Sequence, residues 1–125
     1  MSIFDGRRHP SKEGDRGHSK AGWLALLLRS VEEFNQKLKK WREDNPKTIL
    51  PLDHVDLSKL KNGELDGLDC EGIDFSGSNF SDSDLTGLLN VDKAIWAFAG
   101  LYGITCSPEQ ALVLFQQVFE AKLAT

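Results

Sequence analysis

Residues 58–87 read SKLKN GELDG LDCEG IDFSG SNFSD SDLTG, and a period of five residues runs through this stretch. The second residue of each five is polar, and in the last four frames it is Asp or Asn. A helix would spread a five-residue period over all its faces, and a strand would send it to alternate faces. The period therefore predicts a repeat structure. The third residue of each five is apolar: Leu60, Leu65, Cys70, Phe75, Phe80 and Leu85.

This pattern resembles the pentapeptide-repeat family, whose motif is a small residue, Asp or Asn, Leu or Phe, and two small or polar residues. The clearest matches are Ile73–Gly77, Ser78–Asp82 and Ser83–Gly87. The resemblance implies a short right-handed quadrilateral β-helix of about 1.5 coils, in which the six third-place residues point inward. The alternative is an irregular loop, rich in Gly, Ser and Asp, that carries a periodic apolar residue.

The chain before the repeat divides into a tail, a helix and a connector. Residues 1–19 mix Gly, Pro, Ser and charged residues, which predicts a flexible basic tail that is either solvated or an arm for nucleic acid or an acidic partner. An amphipathic helix is predicted over 20–44, ending before Pro46, and an extended connector over 45–57. The apolar stripe of the helix is Leu24, Leu27, Val31, Phe34, Leu38 and Trp41.

Two further helices are predicted after the repeat. The apolar segment 91–102 indicates a short buried helix that ends at Gly103. Ser107, followed by Pro108 and then by Gln110, predicts a helix start with a capping box. The two helices would form a hairpin over 91–123 that covers the open end of the β-helix or, alternatively, offers a groove to a partner. The fold class predicted for residues 20–125 is therefore a single α+β domain, with the β-helix capped at both ends by helices.

Charge is sorted along the chain, whose formal net charge is -4. Residues 1–52 carry 11 basic and 7 acidic residues, and residues 53–92 carry 10 acidic and 2 basic residues. The acidic middle part would repel a phosphate backbone, so we expect no direct binding of nucleic acid. We expect no membrane segment, because no window has the length of apolar residues that a span needs. Two cysteines without paired spacing and no classical export signal favour the cytoplasm, either of the producing cell or, for an effector, of a host cell.

No arrangement of residues in the sequence is typical of catalysis, of a metal site or of a cofactor site. The two cysteines lack the paired spacing of a zinc site, and the acidic residues lack the order of a calcium loop. We therefore expect no enzyme activity, no metal and no cofactor. The predicted function is a non-catalytic protein-binding module, acting as an effector, adaptor or inhibitor from a bacterium or a mobile element. The alternative, which the resemblance to the pentapeptide-repeat family implies, is an acidic DNA mimic that inhibits a DNA-binding enzyme. The partner-binding candidates are Asp69, Asp74, Asp82 and Asp84.

Overall fold

The computed structural model describes residues 19–58 and 64–124. Two helices come first, α1 over Lys20–Arg29 and α2 over Val31–Asp44, and a third, α3, spans Pro108–Leu123. Two strands of two residues each, β1 (Leu50–Pro51) and β2 (Ile73–Asp74), pair in parallel. A 3₁₀ turn spans Val91–Lys93.

The helix predicted over 20–44 is two helices, because Ser30 breaks it. The backbone of Ser30 is extended, and its N–H donates to the carbonyl of Leu26, which ends α1. Its hydroxyl accepts a hydrogen bond from the N–H of Glu33, which starts α2. The two helices pack through the Trp23 ring, whose centroid lies 5.4 Å from that of Phe34.

Between α2 and α3 the chain folds as a stack of turns, which we call the turn body (residues 50–58 and 64–107). Each layer pairs in parallel with the next through residues that are 20 to 23 positions apart in the sequence. For example, Asp56 pairs with Asn79, and Asn79 pairs with Gly100. Extended segments stay short because residues in the left-handed region recur at the corners, among them Gly72, Gly77 and Asp82. The parallel pairing runs from Leu50 to Thr105.

The core of the turn body is aromatic. The Phe75 ring lies edge-on to that of Phe80 at 5.2 Å and stacks on Trp96 at 4.9 Å. Five of the six residues expected to point inward, Leu65, Cys70, Phe75, Phe80 and Leu85, are buried. The sixth, Leu60, lies outside the described residues. Burial of these side chains supplies the main force that holds the layers together.

The predicted fold, a quadrilateral β-helix of about 1.5 coils with a C-terminal helical hairpin, is wrong. The described structure has three helices and only the two short strands β1 and β2, and its other parallel pairs are isolated bridges. Segment 91–102 contains one 3₁₀ turn and no α-helix, so α3 has no hairpin partner there. The left-handed backbone of Phe98, at φ 59°, and the bridge at Gly100 are incompatible with a helix. A helical cap is present, because α3 packs against the turn body through Leu114.

None of the helices that the structure describes is both long enough and apolar enough to cross a membrane. Of the tail predicted over 1–19, residues 1–18 lie outside the described residues, and Ser19 is the N-cap of α1.

Candidate functional site

Three of the four aspartates predicted to bind a partner, Asp69, Asp74 and Asp84, each accept a hydrogen bond from the backbone N–H two residues later in a turn. The carboxylate of Asp74 accepts a hydrogen bond from the N–H of Ser76 at 2.8 Å, and that of Asp84 accepts one from the N–H of Thr86 at 3.0 Å. Asn79 makes the same contact with Ser81. Hydrogen bonds from the Thr86 hydroxyl and N–H lower the pKa of Asp84. The preference for Asp or Asn at the second place therefore follows from local turn chemistry.

One of these three aspartates, Asp69, also joins the turn body to α2. Its Oδ2 lies 3.1 Å from Nη1 of Arg42, and Arg42 also donates to the carbonyl of Glu71. Burial alone would raise the pKa of Asp69, but hydrogen bonds from Asn90 and from the Glu71 N–H, together with the Arg42 charge, lower it below its ordinary value. Asp69 thus has a partner within its own chain.

The structure does not bring the four aspartates onto one face. Asp69, Asp74 and Asp84 belong to three different ladders, since their bridge partners in the next layer are Leu89, Ile95 and Thr105. Asp82 lies at a corner, with φ 63°. The negative charge is therefore distributed around the turn body.

Helix α3 lies across the last layer of the turn body and is attached by two glutamines. The carboxamide of Gln117 accepts from the N–H of Trp96 at 2.8 Å and donates to the carbonyl of Ala94 at 3.1 Å. Gln110 donates to the carbonyl of Leu85 at 2.8 Å, and its Oε1 completes the capping box of α3. Leu114, which is fully buried, lies between these contacts. One side of α3 is thereby fixed against the body.

The opposite side of α3 is also apolar and is exposed. At 3.6 residues per turn, the side chains that make up this side project roughly half a turn around the helix from Gln110, Leu114 and Gln117. They remain 47 to 73% exposed, and within the described part of the chain no element covers them. We call them the α3 stripe: Leu112, Phe115, Phe119 and Leu123.

The stripe is a contiguous row of large apolar side chains on one helix. Single exposed apolar residues are common, whereas the largest contiguous apolar patch of a protein is often functional. The charged residues of α3, Glu109, Glu120 and Lys122, lie beside the stripe and not on it. The turn body also exposes two aromatic residues, Phe98 and Tyr102, at its corners, where Phe98 is half exposed.

The described residues offer little that is typical of a chemical site. Burial raises the pKa of both cysteine thiols, Cys70 and Cys106, which keeps them protonated and poorly nucleophilic. Among residues 19–58 and 64–124, no group of three or more His, Cys, Asp or Glu side chains is placed to hold a metal ion. The α3 stripe is therefore the strongest candidate for a functional surface.

The sequence indicated the amphipathic character of α3 but not which side faces outward. The spacing of the apolar residues in 108–123 predicts one apolar side, expected to cover the repeat, that consists of Leu112, Phe115, Val118, Phe119 and Leu123. In the structure, Leu114 and the two glutamines form the inner side. The signal lay in the spacing of Gln110, Leu114 and Gln117 by four and three, which defines a second face.

Comparison of the chain with protein-family models, with curated proteins and with solved structures found no match.

Proposed function

We propose that this protein is a non-catalytic protein-binding module, and that it docks its partner on the α3 stripe. The observation that carries the proposal is the exposure of four large apolar side chains on the side of α3 that faces away from its own core. These side chains are 47 to 73% exposed, so a partner that buried the exposed part would gain about 1–2 kcal/mol for each one. Two of the four are phenylalanines, and large aromatic side chains are enriched at the centres of protein interfaces.

The attachment of α3 supports the same proposal. The two glutamines and Leu114 hold the helix in place, so the stripe is presented in a fixed geometry before any partner arrives. A preorganised surface loses less conformational entropy on binding than a flexible one. The acidic residues are less suited to docking, because three of the four aspartates are engaged in turns or with Arg42 and lie on different ladders.

The test compares two variants of the tagged protein as bait in lysate of the organism that produces it. In the stripe variant, Phe115 and Phe119 are both changed to Ser. In the acid variant, Asp74, Asp82 and Asp84 are all changed to Asn, which removes three charges but keeps an oxygen acceptor in the turns, as Asn79 already does. Captured proteins are quantified by mass spectrometry at low and at high salt.

We expect the stripe variant to lose the captured partner and the acid variant to retain it. Capture should change little with salt, because contacts between apolar side chains are not screened. Both variants should show the circular dichroism spectrum of the parent, because the changed side chains lie outside the core. A partner that the stripe variant keeps, and that the acid variant or high salt removes, would contradict the proposal and favour an acidic docking surface.

A further inference from the structure

We infer that the partner of the α3 stripe is a second copy of this chain, paired α3 to α3 in antiparallel orientation about a two-fold axis. This inference rests on the proposed function, since it names the occupant of the same surface. A two-fold interface must be self-complementary: if residue i of one chain meets residue j of the other, then j meets i.

The α3 stripe has the required symmetry. In order along the helix it reads Leu112, Phe115, Phe119, Leu123, so the same two residue types recur in reverse order from either end. A two-fold axis between the two stripes, at the level along the helix of residues 117–118, places Leu112 opposite Leu123 of the second copy and Phe115 opposite Phe119. With a rise of about 1.5 Å per residue, both pairings coincide along the helix to within about 1.5 Å.

The angular positions of the four side chains around the helix also fit pairing about this two-fold axis. At about 100° per residue, Leu112 and Leu123 lie toward one edge of the stripe and the two phenylalanines toward the other edge. A two-fold axis perpendicular to the plane of the two helices brings the leucine edge of one stripe next to the leucine edge of the other, and the phenylalanine edge next to the phenylalanine edge. Leucine therefore meets leucine and phenylalanine meets phenylalanine, which lets the side chains interdigitate as they do in antiparallel helix pairs.

The polar residues beside the stripe are complementary under this symmetry as well. Gln116 and Glu120 occupy the same edge, and within one chain the Gln116 carboxamide already donates to the Glu120 carboxylate at 3.2 Å. The axis brings Gln116 of one chain to within about 1.5–3 Å, measured along the helix, of the level of Glu120 of the second copy, so the Gln116 amide is near a carboxylate of either chain. Neither Glu120 nor Lys122 faces its own counterpart, so pairing puts no like charges together.

The exposed area indicates how strong the association is. Two phenylalanines exposed by 47 and 62% present about 200 Å² of apolar surface, and the leucines add a similar amount. A stable interface buries about 800 Å² on each partner. The stripe provides about half of this, so we expect a weak dimer whose population depends on protein concentration.

Sedimentation equilibrium of the purified chain over a wide range of concentration tests the association. The parent should pass from monomer to dimer as concentration rises. Changing Phe115 and Phe119 to Ser should weaken self-association at least about tenfold. Tyr102→Ser is the matched control, because Tyr102 is an even more exposed aromatic residue on another element, and it should leave the association unchanged. A parent that stays monomeric, or a dimer that the stripe variant retains, overturns the inference.

Disulfide trapping tests the orientation. Leu112→Cys and Leu123→Cys are made in separate chains that also carry Cys106→Ser, while the buried Cys70 is left in place. Mixing the two chains under mild oxidation should give a covalent dimer, because opposed side chains on packed helices approach within the reach of a disulfide. Each variant alone should stay uncrosslinked. Crosslinking of each variant with itself would show parallel pairing and overturn the inference.

The two proposals fail in different ways. If the chain is monomeric but the stripe variant loses a different captured protein, the inference of a second copy is wrong and the stripe remains a docking surface. If the stripe variant keeps every captured protein and the chain is monomeric, both proposals are wrong.

Discussion

The backbone N–H of Asp69 donates to Oδ1 of the Asn35 side chain at 3.2 Å, while Nδ2 of the same side chain donates to the carbonyl of Gly67 at 2.8 Å. The carboxamide of Asn35 thus takes the place that a neighbouring strand would occupy. Gln117 makes the corresponding pair of contacts at the other edge, with Trp96 and Ala94. Backbone groups that a stack of layers would leave unpaired at its edges are satisfied there by two side-chain amides.

Asn35→Ala should lower the free energy of unfolding by about 1–3 kcal/mol, because it removes both contacts and leaves partly buried backbone groups without a partner. Urea unfolding followed by circular dichroism measures this change. The control is Gln36→Ala on the same helix, where the side chain is exposed and the effect should be close to zero. Equal effects of the two substitutions would show that the amide contacts do not stabilise the edge.

Phe80→Ala should destabilise the protein by about 3–5 kcal/mol, because it opens a cavity between Phe75 and Trp96. Tyr102→Ala removes an aromatic side chain that is 84% exposed and should change the stability little. Thermal unfolding of both variants at low protein concentration separates the two cases. A Phe80→Ala variant that melts with the parent would show that this aromatic core is not well packed.

Replacing two exposed lysines by glycine should have opposite effects. Lys47 has a left-handed backbone, with φ 66°, which disfavours any side chain by about 1–2 kcal/mol, so Lys47→Gly should stabilise the fold by about 0.5 kcal/mol after the entropy of glycine is counted. Lys39 lies within α2, where Lys39→Gly should destabilise by about 1 kcal/mol. Chemical denaturation measures the change in the free energy of unfolding for each variant and so gives its sign. Two destabilised variants would rule out a strained backbone at Lys47.

Acid should weaken the attachment of α2 to the turn body through Asp69. In the folded chain the pKa of Asp69 lies below its ordinary value of 3.8. The ionised Asp69 therefore contributes fully to the free energy of unfolding above pH 3.8, and this contribution is lost as the pH falls from 3.8 to the folded pKa. Asp69→Asn should be less stable than the parent at neutral pH, and its stability should fall less steeply below pH 4. Urea unfolding across this range provides the measurement. If the free energy of unfolding of the parent and of Asp69→Asn changed with pH in the same way, this role for Asp69 would be excluded.

The capping signal for α3 was readable from the sequence, and so was the five-residue period. Ser107 and Gln110 form the expected capping box, because its contacts are local and depend on residues three apart. The break at Ser30 in the helix predicted over 20–44 could not be predicted, because the apolar stripe of that helix continues past Ser30 at helical spacing. The side-chain hydroxyl of Ser30 starts a new helix there, a competing interaction that periodicity does not reveal.

The error over 91–102 has a different origin. The run of Ile95, Trp96, Phe98 and Leu101 is apolar enough for a buried helix, yet the structure buries Trp96 and exposes half of Phe98. Pairing of Ile95 with Asp74, and of Gly100 with Asn79, decides the conformation of this segment. Such pairing depends on residues about 20 positions away, and local propensity does not contain that information. The outward side of α3 was not predicted, because Leu114 on the inner side and the stripe on the outer side are both apolar, so hydrophobicity alone does not distinguish the two sides.

The carboxamides of Asn35 and Gln117 contact only the outermost backbone of the turn body, one at each edge. The chain between them is paired layer to layer at offsets of about 20 residues, and neither amide reaches the interior layers. A gene for this protein could therefore gain or lose a unit of about 20 codons between the two edges and still encode both closing contacts. The number of layers is in this sense independent of the two amides, which close the body at its ends.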